Sequence, residues 1–246
     1  MISVCMASYN GEKYIAEQIA SILSQLGEND ELIVSDDCST DHTIDVVNSF
    51  KDSRIKIFIN HGVHGYTGNF YNALLHANGD YIFLSDQDDV WCPNKVSITL
   101  EYLKEYDFVV SDAKEVDAKL SVISESRIKK YGVKGGFWPN LLRSRYIGCC
   151  MAFNYRLLKA IFPVPTYTNR YPHDLWIALI GDGYFNSHLI VEPLVLYRRH
   201  GSNASNGGEG DKGSILLLIK RIIMRFYYLF YFIKQSKHIR IVKKDY

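Results

Sequence analysis

Cysteine is sparse in this chain, and no two cysteines stand at C-x-x-C spacing: the five are Cys5, Cys38, Cys92, Cys149 and Cys150. An odd count without that spacing suggests neither a zinc site nor a disulfide framework. Cys5 lies inside an apolar run and reads as core filler. No G-x-G-x-x-G follows that first apolar run, which disfavours a nicotinamide enzyme. No basic region or long apolar stretch precedes Ile2, so a secretory leader is not expected and the chain reads as a protein of a reducing, cytoplasmic compartment. In that setting Asn203-Ala204-Ser205 reads as a loop, although it matches a glycosylation acceptor pattern. Charge of one sign is also missing overall. A net charge of +1 leaves no bulk attraction to nucleic acid, and none is expected as a partner.

What is present suffices for one well-packed core and a small appendage: 246 residues, 47% of them hydrophobic. The first half alternates strand and helix signals. Strands are expected over residues 2–7, 31–35, 55–59, 81–84 and 108–110. Helices are expected over 13–26, from a cap at Ser39 or Thr40 through Phe50, over 67–77, and from after Pro93 to about Tyr106. Such alternation predicts an α/β fold, a mainly parallel sheet with helices on both faces. The second half is less regular. Residues 112–147 read as a mobile loop with a short helix, Gly148 to Phe153 as a strand, Leu175 to Leu179 as a helix, and Leu189 to Tyr197 as a late strand. Residues 206–246 are set apart as a linker and a basic helical tail, leaving 1–205 as the main domain.

Ligands of parallel sheets bind beyond the carboxyl ends of the strands. Three polar clusters lie at those ends: Ser8-Tyr9-Asn10, Asp36-Asp37-Cys38-Ser39 and Ser85-Asp86-Gln87-Asp88-Asp89-Val90-Trp91. The last run holds three carboxylates that repel one another unless a cation or a donor-rich ligand sits between them. A hard divalent ion with oxygen ligands satisfies that demand. The plainer alternative is an acidic turn followed by a helix N-cap, since Asp suits both places. One crevice collecting all three clusters favours the cation.

Together with Gly11, Pro93, Lys95, Gly148-Cys149, His173-Asp174 and Tyr197-Arg198-x-His200, these runs resemble family 2 glycosyltransferases of the GT-A fold over roughly residues 1–205. The Asp-Gln-Asp-Asp-Val-Trp variant is most similar to the bacterial branch that builds surface polysaccharides, which includes rhamnosyltransferases. The resemblance implies an inverting enzyme that moves a sugar from a nucleoside-diphosphate donor, UDP- or dTDP-linked, to a glycan or lipid-linked acceptor. It assigns Ser8, Tyr9, Asp37, Asn69, Asp86 and Asp88 to the donor. Asp37 would accept from the pyrimidine N–H, while Asp86 would lie near the ribose and sugar. The family often has a basic residue near Asn69, and this chain has none there. Asp88 and His200 would hold Mn2+ or Mg2+, with imidazole favouring manganese. Arg198 and Arg199 could screen the diphosphate, and Asp89 could support the loop. Asp174 matches the general base, although a place at a helix start would lower its pKa. Tyr171, His173 and Trp176 would meet the acceptor.

The tail has its own pattern. Nine basic residues between Lys212 and Lys244 face only Asp245, among Ile, Leu, Phe and Tyr. Its uncharged runs fall well short of the roughly 20 residues that cross a bilayer. A helix lying on the inner membrane surface fits, as does a terminal helix packed on the body or in a homo-oligomer. Two other classes remain open at this level: a magnesium-dependent phosphohydrolase, which usually has its acidic motif after the first strand, and a silent sugar-nucleotide-binding protein.

Overall fold

Residues that alternate little and are apolar on both sides form strands covered on both faces, and the first strands of this chain are of that kind. In the computed structural model, which describes residues 1–165, 172–201 and 215–244 (backbone alone for 215–218, 243 and 244), they are β1 (Ile2–Ser8), β2 (Glu31–Asp36), β3 (Ile55–Ile59) and β4 (Tyr81–Asp86). Helices α1 (Ile15–Leu23), α2 (Thr43–Ser49) and α3 (Tyr66–Leu75) connect them. The four strands run parallel in the order β3-β2-β1-β4, as the βαβ alternation requires.

Beyond β4 the pairing changes. The strands β5 (Val90–Trp91), β6 (Phe108–Val116), β7 (Val122–Ser124), β8 (Met151–Asn154) and β9 (Ser187–Arg198) extend the sheet. β8 lies antiparallel between β4 and β6, and β9 runs parallel to β6. The two-residue β5 closes the order antiparallel to β9, bringing the end of the acidic run against Val195 and Leu196. The α/β, mainly parallel reading therefore holds, with a mixed second half.

Several local expectations are corrected. Residues 112–147 are mostly organised: β6 continues to Val116, β7 follows, and α5 (Arg127–Tyr131) and α6 (Phe137–Arg143) come after α4 (Lys95–Leu103). The charges that looked like loop are paired in place, with Arg127 and Lys130 both on the Glu115 carboxylate. Gly148–Cys150 is a 3-10 turn, and only Met151–Asn154 is strand. Neither Ser39 nor Thr40 caps α2, whose N-cap is His42. Ser39 is used instead by Asp36 and Asn10 at the sheet edge.

Helix α7 (Tyr155–Ile161) leads toward α8 (His173–Tyr184), a largely enclosed helix. Trp176, Ile177, Ala178 and Leu179 are each 0% exposed. A helix apolar on every side is a buried one. It packs on Phe108 through Gly181 and on α6, α7 and the tail. The tail forms α9 (Ile215–Lys234) and α10 (Ser236–Lys244). Tyr228 stacks on Trp176 at 5.9 Å between ring centroids, Phe232 packs on Phe137 and Tyr184, and Ile239 is fully buried.

Candidate active site

Strand register assembles the site. Ser8 pairs with Asp36 and Ala7 with Asp86, so carboxylates flank β1 on both sides at its carboxyl end. With strands about 4.8 Å apart, the β2 and β4 carboxylates stand roughly 10 Å from each other. The loop after β1 crosses between them.

On the β2 side, Asp36 is spent on structure. Its Oδ2 accepts from Ser8 Oγ at 2.8 Å and Ser39 Oγ at 2.6 Å, and its Oδ1 from the Ser39 N–H at 2.7 Å. Asp37 stands at the crevice, 9% exposed. Its Oδ1 accepts from Asn60 Nδ2 at 2.8 Å and lies 2.9 Å from His64 Nδ1, while its Oδ2 accepts from the Gly65 N–H at 2.7 Å. A carboxylate has about four acceptor positions. Asp37 can thus take one more donor as it stands, or two if the solvent-facing His64 withdraws.

Two expected donor contacts turn inward. Ser8 Oγ holds Asp36, and its carbonyl accepts from Asn69 Nδ2 at 2.9 Å. Asn69 Oδ1 accepts from Ser35 Oγ at 2.5 Å. Both side chains are buried and tie the ends of β1 and β2 together, so they brace the crevice rather than line it. Tyr9, on the loop after β1, is 54% exposed.

The acidic run divides its carboxylates. Asp88 Oδ2 lies 2.8 Å from His200 Nε2, two residues after β9. The two are hydrogen-bonded to each other, and the distance also matches the roughly 3 Å between adjacent ligands of an octahedral ion with bonds of about 2.1 Å. Asp89 is 0% exposed; its Oδ1 accepts the Arg198 N–H at 2.9 Å, and no N–H or O–H reaches its Oδ2. It anchors the loop to β9, in line with the supporting role. Burial, then the neighbouring charges of Asp88 and Asp86, hold its carboxyl far above the usual range. Asp86 is pushed up to about 8 by burial, then by Asp88 and Asp174. A cation beside such carboxyls would favour their ionised forms.

Ligand atoms of Asp86, Asp89 and Cys149 also lie within 4.8 Å of one another. Burial holds the Cys149 thiol well above its ordinary pKa, and a thiol in its protonated form is a poor ligand. The thiol makes that cluster a poor site for a hard ion, while Asp88 and His200 stand together as an oxygen and nitrogen pair.

Arg198 is not a diphosphate screen. It is 2% exposed: its Nε donates to Asp88 O at 2.7 Å, NH1 to Ala118 O at 3.0 Å and NH2 to Glu17. It clamps the carbonyl of Asp88, whose carboxylate meets His200. The Arg199 guanidinium lies 5.9 Å from the Tyr197 ring.

The α8 N-terminus forms the opposite wall. Asp174 sits in the first turn, where its Oδ1 accepts from the Leu175 N–H at 2.7 Å. The helix start would lower its pKa, but desolvation outweighs this and raises it to about 6. Its charge also raises the hydroxyl pKa values of Tyr66 and Tyr71, after their own burial.

The expected acceptor contacts fare unevenly. His173 is buried, stacked on Phe70 at 4.0 Å, with its pKa lowered to about 3 by burial and no partner on either nitrogen. It packs so closely on Gly148 that a Cβ there would stand 2.7 Å from Nε2. Trp176 is core, its Nε1 donating to Ile161 O at 3.0 Å. Tyr171 lies outside the described residues. Tyr66, 46% exposed, lies close enough to Asp174 to feel its charge and was not among the residues singled out from the sequence.

Three comparisons give this geometry a context. The family model described as "Glycosyl transferase family 2" matches residues 3–162. The UDP-Glc:alpha-D-GlcNAc-diphosphoundecaprenol beta-1,3-glucosyltransferase WfgD of Escherichia coli is 30% identical over 184 residues, 74% of this chain and 70% of its own. The dTDP-rhamnosyl transferase RfbG of Shigella flexneri is 38% identical over 105 residues, 40% of this chain and 36% of its own. Among solved structures, the mannosyltransferase PcManGT of Pyrobaculum calidifontis in complex with GDP-Man and Mn2+ superposes with a TM-score of 0.60 at 18% identity, covering 98% of this chain and 68% of that one. The chain belongs to glycosyl transferase family 2 and has its GT-A-like fold.

Proposed function

We propose that this protein is an inverting, divalent-metal-dependent glycosyltransferase that moves a hexose from a nucleoside diphosphate to a glycan or lipid-linked acceptor of bacterial surface polysaccharide. The observation that carries this reading is Asp88 and His200 at ligand spacing, beside Asp86 and electrostatically close to a carboxylate of raised pKa. Asp88 and His200, with Asp86 near, would hold the ion, which would supply positive charge to the diphosphate leaving group. Asp37 accepts a hydrogen bond from the pyrimidine N–H, and the Tyr9 ring borders the nucleoside. Asp174 takes the proton of the acceptor hydroxyl as that oxygen bonds to the anomeric carbon. The nucleoside diphosphate departs from the opposite face with the electron pair of the broken bond. At a pKa of about 6 the base is ionised at neutral pH yet more basic than an ordinary carboxylate.

UDP-glucose is the first donor to test, because WfgD matches most of this chain. dTDP-rhamnose is the second, because RfbG is more identical over a shorter segment. A thermal-shift screen of nucleotide sugars with Mn2+ reads the choice directly. Stabilisation by one nucleotide sugar only when Mn2+ is present supports the reading. The same shift in EDTA overturns the metal dependence, and no shift with any nucleotide sugar overturns the transferase.

A further inference from the structure

Helix α9 has two apolar faces, and the fold uses one of them. Tyr228 and Phe232 point into the body. Ile219, Ile222, Ile223, Phe226, Phe230 and Ile233 are all exposed, from 45% to 68%. At 3.6 residues per turn these six fall within an arc of about 100°, opposite Tyr228. Single exposed apolar residues are ordinary, but a continuous stripe over four turns marks a surface that something covers. Trp138 and Leu142 of α6, 65% and 69% exposed, extend it, since Arg225 Nε donates to Leu142 O at 2.9 Å.

Charge decides what covers it. Residues 215–244 hold Lys220, Arg221, Arg225, Lys234, Lys237, Arg240, Lys243 and Lys244 and no carboxylate. A second copy seated on this stripe would bring two sets of like charges together, which opposes self-association. An anionic bilayer surface complements both features, because apolar burial and attraction to lipid headgroups add. The helix cannot go through: among the described residues, no helix is long and apolar enough to cross a membrane.

We propose that the outward face of α9, with Trp138 and Leu142, docks on an anionic phospholipid bilayer and lies in its interface. The consequence for the site is geometric. Tyr228 Oη donates to Pro172 O at 3.0 Å, one residue before His173 and two before Asp174. Docking thus holds the α8 N-terminus one helix thickness, about 10 Å, behind the docked face, and, resting on the function proposed above, sets Asp174 within reach of an acceptor carried on a lipid.

The test uses the full chain and no substrate. Sedimentation with phosphatidylcholine vesicles, with and without phosphatidylglycerol, is compared for the wild type and Phe226→Glu/Phe230→Glu. The wild type is expected to bind only the phosphatidylglycerol vesicles, with binding weakened by salt. The variant should bind at least about tenfold more weakly, since two large apolar groups no longer enter the interface. Its circular dichroism, melting temperature and nucleotide binding should be unchanged. Equal binding by both proteins overturns the proposal, as does wild-type binding indifferent to phosphatidylglycerol. A dimer seen by light scattering that the variant dissolves would assign the face to a second copy and overturn it too. Transfer to a water-soluble acceptor is measured separately: its absence would count against the function and leave the vesicle result standing.

Discussion

Gln87 grips both sides of the Tyr9 peptide: its Oε1 accepts the Tyr9 N–H at 2.8 Å and its Nε2 donates to the Tyr9 carbonyl at 2.9 Å. The clasp joins the acidic run to the loop after β1. Close packing enforces it, because a Cβ at Gly11 would stand 2.2 Å from Gln87 Oε1. Gln87→Glu keeps the shape but loses the donor and sets a carboxylate against a carbonyl. Losing one such hydrogen bond costs about 1 kcal/mol, so donor affinity should fall roughly five- to tenfold. Calorimetry with the nucleotide checks this; an unchanged affinity would show that the clasp does not shape the donor site.

Asp174→Asn should lower kcat by about a thousandfold or more while donor affinity stays near that of the wild type. A base must be deprotonated to act, so wild-type kcat should rise with pH through about 6 and then level off. Rate profiles between pH 5 and 8 check the sign, a range set by where carboxylates so raised titrate, about 6. Rates that fall across that range would exclude Asp174 as base.

Binding of Mn2+ should release protons, because burial and neighbouring charge raise the Asp86 and Asp89 carboxyls and a cation beside them would favour their ionised forms. Apparent metal affinity should therefore weaken as pH falls. His200→Ala should weaken it by about 10-fold or more, as loss of a ligand or its support does. Calorimetry in buffers of different ionisation enthalpy counts the protons directly.

Without metal, Asp86 works against the fold as pH rises. Its folded pKa, about 8, exceeds that of an unfolded carboxyl, so stability is present below the unfolded value and lost as pH climbs toward the folded one. Asp86→Asn removes that loss. The variant should melt higher than the metal-free wild type at pH 8, by about 5 °C, and nearly equally at pH 4. A variant that melts lower at pH 8 would mean that Asp86 is already paired.

Trp176→Ala should destabilise the protein by about 3–5 kcal/mol, as loss of a large core side chain does. Denaturant unfolding measures this. If stability holds while acceptor KM rises, the ring faces the acceptor after all.

Much of the fold was legible locally. Strand runs bounded by turn residues, helical spacing and the βαβ alternation together describe the parallel half, and the acidic run sits at a strand end as read. The mixed half was less legible because its order depends on pairing between distant strands, such as β6 with β9. Residues 112–147 looked irregular since their polar groups, among them Asp112, Glu115 and Arg127, are satisfied by partners that single-sequence periodicity does not reveal.

By itself the sequence determined which chemistries are available: three carboxylates after a strand, a His after Tyr-Arg-Arg, and an Asp at a helix start, in an order shared with one family. Tertiary structure decided which way each side chain faces, because burial is a property of neighbours and not of the residue. It turned Ser8, Asn69, Trp176 and Arg198 inward, set Asp89 on a backbone N–H 109 residues away, and brought Asp88 to His200. It also gave α9 a used face and an open one, a distinction invisible in a stretch apolar on both sides.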